Sequence, residues 1–149
     1  MSILKPFDDT YFMKKALQEA ELAYGKGEIP IGAVIVVSDQ IIARSHNLTE
    51  TLNDVTAHAE MQAITAAANY LGGKYLKDCT LYVTLEPCQM CAGALFWSQI
   101  SKIVYGASDE HRGCIALKTK LHPKTVMAGG VLASEASQLL KRFFQERRS

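Results

Sequence analysis

The sequence predicts an α/β fold: one mixed sheet covered by helices on both faces. Two observations carry that expectation. Short β-branched or apolar runs of strand length alternate with longer stretches whose apolar residues recur at helical spacing. The 149 residues are 48% hydrophobic and 21% charged, which suits one domain with its own core and excludes a disordered chain.

The elements follow in order. Residues 9–24 predict a helix with Phe12, Ala16, Leu17, Ala20 and Tyr24 on its apolar stripe. Asp8 or Asp9 can cap its start, and Gly25 with Gly27 can end it. The GAVIVV run at 32–37 is a buried strand, and Ser38-Asp39-Gln40 is a turn. Ile41 to Ser45 returns antiparallel to it, and a polar loop spans 47–56. A helix is expected from about residue 58 to Leu71, stopped by Gly72-Gly73. Thr80 to Leu85 is a strand, and residues 88–97 a helix so apolar that burial is expected all round, with Phe96 and Trp97 in the core. Lys102 to Tyr105 is the next strand, and 107–124 is irregular. A short strand near Thr125 to Met127 and a helix from about Leu132 to Gln145 complete the order α-β-β-α-β-α-β-β-α.

No apolar run approaches the roughly 18 residues of a membrane helix. The first residues, MSILKPFDD, lack a long apolar stretch of the secretory kind, so a cytoplasmic location is expected. Four cysteines are too few for a disulfide scaffold and read better as ligands or core residues. The net charge is +1 but uneven: residues 1–99 carry 7 basic and 11 acidic side chains, residues 100–149 carry 9 and 4. A basic last third fits either a polyanionic partner such as nucleic acid or merely solvated helical faces.

Three segments carry the chemistry: His58-Ala59-Glu60, Pro87-Cys88 and Cys91. A C-x-x-C pair alone could be a redox couple. His58 supplies a third zinc ligand, and Cys88 and Cys91 sit three apart on one helix face. Pro87 presets that helix, whose N-terminus favours thiolates. Glu60 faces the same centre as His58 only if His58 lies outside the helical turn. It would then stand beside the metal rather than on it. Three protein ligands leave an open position, the pattern of a catalytic zinc. Cys79 and Cys114 are expected to be small core residues.

H-A-E with P-C-x-x-C resembles the zinc-dependent nucleobase deaminases. The blocks Glu28-Ile29-Pro30-Ile31-Gly32-Ala33, Thr56 to Glu60, Leu81 to Cys88, Met90 to Ala94 and Tyr105 to Asp109 are similar to the bacterial tRNA adenosine deaminases. So is the ending with Phe143-Phe144 and Arg147-Arg148. The resemblance covers nearly the whole chain and implies a five-stranded, three-layer α/β/α fold of the cytidine deaminase type, over residues 1–149. It implies hydrolysis of adenosine to inosine at the wobble position of a tRNA anticodon. It implies one zinc ion per chain on His58, Cys88 and Cys91, Glu60 as general acid and base, and a homodimer. Asn47 matches the residue that bonds the flipped base, and Asp109 one that contacts the anticodon loop. Ala59 and Pro87 are expected at the substrate pocket. Asn47 could equally be a turn residue. Arg112, Lys120, Lys124, Arg147 and Arg148 could contact the RNA backbone or simply be solvated. His46, His111 and His122 are expected to be exposed.

The sequence departs from that pattern at two places. Val55 stands where proline is frequent, and Glu110 to Leu117 replaces a small-residue stretch. The competing function is deamination of a free base or nucleoside such as guanine, cytosine or cytidine. It shares the zinc core but has no use for a basic tail.

Overall fold

The computed structural model describes residues 7–148, with the side chain of Arg148 outside the described set. Helix α1 spans Asp9–Gly25, and the Asp8 carboxylate caps it by accepting the Tyr11 N–H at 2.8 Å. Strands β1 (Gly32–Val37) and β2 (Gln40–His46) form an antiparallel hairpin. Ser38 and Asp39, both at positive φ, make its turn. Then come α2 (Ala59–Leu71), β3 (Thr80–Leu85), α3 (Gln89–Ser98), β4 (Lys102–Ala107), β5 (Val126–Ala128) and α4 (Ala133–Arg148). Every predicted element is present, with boundaries moved by no more than three residues.

The strands join in the order β2-β1-β3-β4-β5. β1 is antiparallel to β2 and β3, whereas β3, β4 and β5 run parallel. The sheet is therefore mixed. Phe12, Met13 and Ala16 of α1 pack on Val34, Val36, Tyr82 and Val104, the side chains of one face. Ala59, Ala63 and Ala67 of α2 and Leu95 of α3 pack on Ile35, Leu81, Val83 and Ile103 of the other. α4 joins α1 beside β4, completing three layers. Alanine on the helix faces lets backbones approach closely. At Gly32 the approach is extreme, since a Cβ would collide with the backbone of Ala16 and Ala20.

Four side chains depart from expectation; two of them, Phe96 and His122, are half-buried rather than core and exposed respectively. Trp97 is 77% exposed although its helix is apolar nearly all round, because α3 packs on the sheet and α2 along one side only. His46 is buried rather than exposed. Its Nδ1 lies 2.9 Å from Glu19 Oε1 and its Nε2 3.0 Å from Lys26 Nζ, so α1 and the residue that caps its end supply partners for both ring nitrogens. Cys79 and Cys114 are buried, as expected.

Candidate functional site

The parallel strands β3 and β4 end on the same edge, and the loops that follow them open a cleft there. The chain around it begins with two helix starts. His58 is the N-cap of α2, with extended backbone (φ −70°, ψ 155°). Cys88 is the N-cap of α3, also extended (φ −74°, ψ 175°). Extended caps let His58 and Glu60 face one centre although they are two residues apart. They also bring Cys88 and Cys91 across from His58.

His58 Nδ1 lies 3.6 Å from Cys88 Sγ and 3.5 Å from Cys91 Sγ. The ligand atoms of the three residues lie within 4.8 Å of one another. A tetrahedral zinc with ordinary Zn–N and Zn–S bonds separates nitrogen from sulfur by about 3.5 Å. The two thiols and the imidazole thus fit zinc in both spacing and donor chemistry. The hydrogen bond from Cys91, with the neighbouring His58, holds the Cys88 thiol down to about 4 against the effect of burial. Cys91 is pushed up by the hydrogen bond it gives Cys88 and by burial. His58 is raised by its bond to Cys88.

Glu60 is not one of the three clustered donors. It is buried in the first turn of α2 and lines the cleft. Burial raises its carboxyl to about 7, so near neutral pH both protonation states are within reach.

The cleft has a volume of about 530 Å³. Asn47, His58, Ala59, Glu60, Cys88, Asp109 and Arg112 line it, together with Ile29, Leu140 and Phe144. Asn47 is 4% exposed and its amide nitrogen lies 3.4 Å from Thr49 Oγ1. Asp109 Oδ1 accepts the N–H groups of His111 and Arg112 at 3.1 and 2.9 Å. Pro87 lies in the turn before α3 but does not line the cleft. Lys120 and Lys124 are exposed on the loop between β4 and β5 and lie outside the cleft wall. Arg147 turns back on its own chain: its guanidinium lies 4.7 Å from the Phe143 ring centroid and donates to the Gly27 carbonyl at 2.5 Å.

Two further buried carboxylates had no role expected from sequence; Glu86 lines the cleft and Glu28 does not. Glu28 accepts the N–H groups of Glu50 and Thr51 at 3.1 and 2.6 Å, fixing the loop that follows Asn47. Glu86 accepts the N–H groups of Asp109 and Ile115 at 3.1 and 2.9 Å. The only hint in sequence is their place beside motif residues, in the EIP and EPC triplets.

Known proteins agree with this geometry. Residues 7–107 match the cytidine and deoxycytidylate deaminase zinc-binding region. The tRNA-specific adenosine deaminase of Bacillus subtilis (strain 168) is 45% identical over 146 residues, covering 94% of this chain and 91% of the relative. A solved chain from work on A-to-I editing by tRNA:A34 deaminases at the wobble position of transfer RNA superposes with a TM-score of 0.83. It is 42% identical and covers 88% of this chain and 99% of that one. Guanine deaminase from Bacillus subtilis superposes with a TM-score of 0.65 at 43% identity, covering 68% of this chain and 65% of that one. With the His58, Cys88 and Cys91 cluster set beside a buried glutamate, the chain belongs to the cytidine and deoxycytidylate deaminase zinc-binding family, among the tRNA-specific adenosine deaminases.

Proposed function

We propose that this chain hydrolyses adenosine to inosine at the wobble position of a tRNA anticodon, as a single deaminase domain acting in the cytoplasm. The observation that carries the chemistry is the buried Glu60 beside the His58, Cys88 and Cys91 cluster, at the floor of an open cleft. The 45% identity to a tRNA-specific adenosine deaminase supports the substrate.

One zinc ion per chain would be held by His58 Nδ1, Cys88 Sγ and Cys91 Sγ, supplying Lewis acidity that lowers the pKa of a water toward about 7. Glu60 takes one proton from the attacking water and delivers it to the ring nitrogen beside the reacting carbon, then carries the second proton from the new hydroxyl to the departing amine. Water's oxygen bonds to the ring carbon, the carbon–nitrogen bond breaks, and ammonia leaves. Asn47 offers an amide donor and acceptor to the purine edge. Asp109 accepts from a ribose 2′-hydroxyl, which favours RNA over DNA. The base must leave the anticodon stack to enter the cleft, and Phe144 and Leu140 wall its mouth with apolar surface. Arg112, Lys120, Lys124 and the C-terminal Arg148 are the RNA-backbone contacts we assign. Arg147, held by Gly27 and Phe143, is assigned instead to fastening α4. The partner in assembly is a second copy. Trp97 on α3 and Tyr70 on α2 are 77% and 64% exposed, large apolar side chains for it to cover.

The test is ammonia release from an adenosine-34 anticodon stem-loop, guanine, cytosine and cytidine, each offered alone. Turnover of the stem-loop is expected. Turnover of guanine with none of the stem-loop would replace this reading by that of a free-base deaminase, the activity named for the Bacillus subtilis structure. Light scattering is expected to give twice the 16.4 kDa chain mass.

A further inference from the structure

We infer that Glu86 is a positioning residue for substrate binding: its carboxylate holds the 109–115 loop as a preformed wall of the cleft. It thereby governs how tightly an RNA loop binds rather than how fast the bond breaks. This rests on the RNA-substrate reading above.

Glu86 is only 4% exposed, and a buried carboxylate is stable only when its oxygens are bonded. Among the described residues, its carboxylate bonds run to one loop. Oε1 accepts the Asp109 N–H at 3.1 Å, Oε2 accepts the Ile115 N–H at 2.9 Å, and the Cys114 thiol points at Oε2 from 3.9 Å. The loop is stitched to the turn that carries the first cysteine ligand as well. Cys114 N–H donates to the Pro87 carbonyl at 2.9 Å, and Gly113 forms an isolated antiparallel bridge with Cys88. Gly113 permits this closeness, since a Cβ there would collide with the Glu86 carboxylate and the Asp109 carbonyl.

Both ends of the loop are thus tied to one side chain, while its 109–112 segment faces the cleft. Inside it, the two N–H bonds to Asp109 Oδ1 fix the turn. Glu86 is outside the clustered metal donors. It borders the cleft, but both its oxygens are already bonded to the 109–115 loop, which leaves it preorganisation. A loop already ordered binds without the entropy loss that a loose one incurs on binding.

Glu86→Gln is the direct test. The amide oxygen can replace one acceptor, and its NH2 then faces the other backbone N–H. We expect KM for the stem-loop to rise about tenfold or more, as befits a lost charge-assisted bond, with kcat within about threefold. Metal content stays at the wild-type level. Hydrogen exchange at the amides of Asp109 and Ile115 accelerates, while amides of β3 and β4 stay slow. Gly113→Ala keeps the carboxylate but displaces it, and should reproduce the KM rise if Glu86→Gln does not fold. Loss of kcat at unchanged KM, or unaltered exchange at residues 109 and 115, overturns the proposal. Failure of the substrate reading is distinguishable, because wild type would then release no ammonia from the stem-loop. Exchange would still decide whether Glu86 holds the loop.

Discussion

In the proposed reaction Glu60 and Asn47 divide the work of the cleft by the protons they can carry. A carboxyl raised to about 7 by burial can accept and return a proton near neutral pH, whereas an amide can only hold a fixed pattern of donor and acceptor. Replacing Glu60 by alanine is therefore expected to leave fold and metal content intact and to reduce kcat by at least about 10²- to 10⁴-fold, the usual worth of a positioned proton carrier. Metal analysis alongside steady-state kinetics checks it, and wild-type turnover in the variant would refute it. Asn47 is 4% exposed, so a charge placed there has little water to stabilise it. Asn47→Ala should lower kcat/KM sharply. Asn47→Asp should do worse, because it loses the amide donor and adds another buried carboxylate to a cleft already lined by Glu60 and Glu86. An aspartate variant more active than the alanine one would rule out the amide as the reader of the base edge.

At the scale of elements, the cleft is built from segments whose ends are tied by carboxylates. Burial alone would push Glu28 up. The hydrogen bonds from Thr51 and Glu50 outweigh it and hold the carboxyl below its ordinary value. A group held low stabilises the fold above the ordinary carboxylate pH, and that contribution disappears as pH falls through the lowered value. Glu28→Gln should therefore cost about 1–3 kcal/mol at neutral pH. The gap in Tm between wild type and variant should narrow in acid, as thermal melts across pH would show. A gap independent of pH would mean that the two backbone bonds do not depend on the charge. This is also where sequence reading stops. The helices and strands were legible because glycine, proline and aspartate mark their ends and the apolar periods differ between them. The His58, Cys88 and Cys91 set and Glu60 were legible because H-x-E and P-C-x-x-C are chemically specific patterns, although His58 and Cys88 lie 30 residues apart. The roles of Glu28 and Glu86 were not, since their partners are backbone N–H groups 22 to 29 residues away, which no residue pattern marks. His46 and Trp97 were misjudged for the same reason. Burial of the first depends on Glu19 and Lys26 of another segment, and exposure of the second on which side of α3 the fold covers.

Across the whole molecule, the 9 basic side chains of residues 100–149 are not equivalent. Arg112 lines the cleft, and Lys120 and Lys124 stand exposed on the long loop after β4. We assign Arg147 a different role. With Arg142, which lies 4.7 Å from the Tyr24 ring centroid, it fastens α4 to the end of α1, and α4 contributes Leu140 and Phe144 to the cleft. Cationic side chains that pair with phosphates release counterions, so binding of an anticodon stem-loop should weaken steeply with salt. Removing one such pairing should lower the slope of log K against log salt by about 0.7 to 0.9. Replacing both Lys120 and Lys124 by glutamine is thus expected to reduce that slope by about 1.4 to 1.8, with metal content and Tm near wild type. Arg147→Gln should behave oppositely. It breaks the bond to the Gly27 carbonyl and the stacking on Phe143, so Tm should fall while the slope changes little. Binding isotherms at several salt concentrations, with melts of the same variants, separate the two roles. A full slope change from Arg147→Gln at unchanged Tm would place this arginine on the RNA and leave α4 held by Arg142 and its apolar contacts.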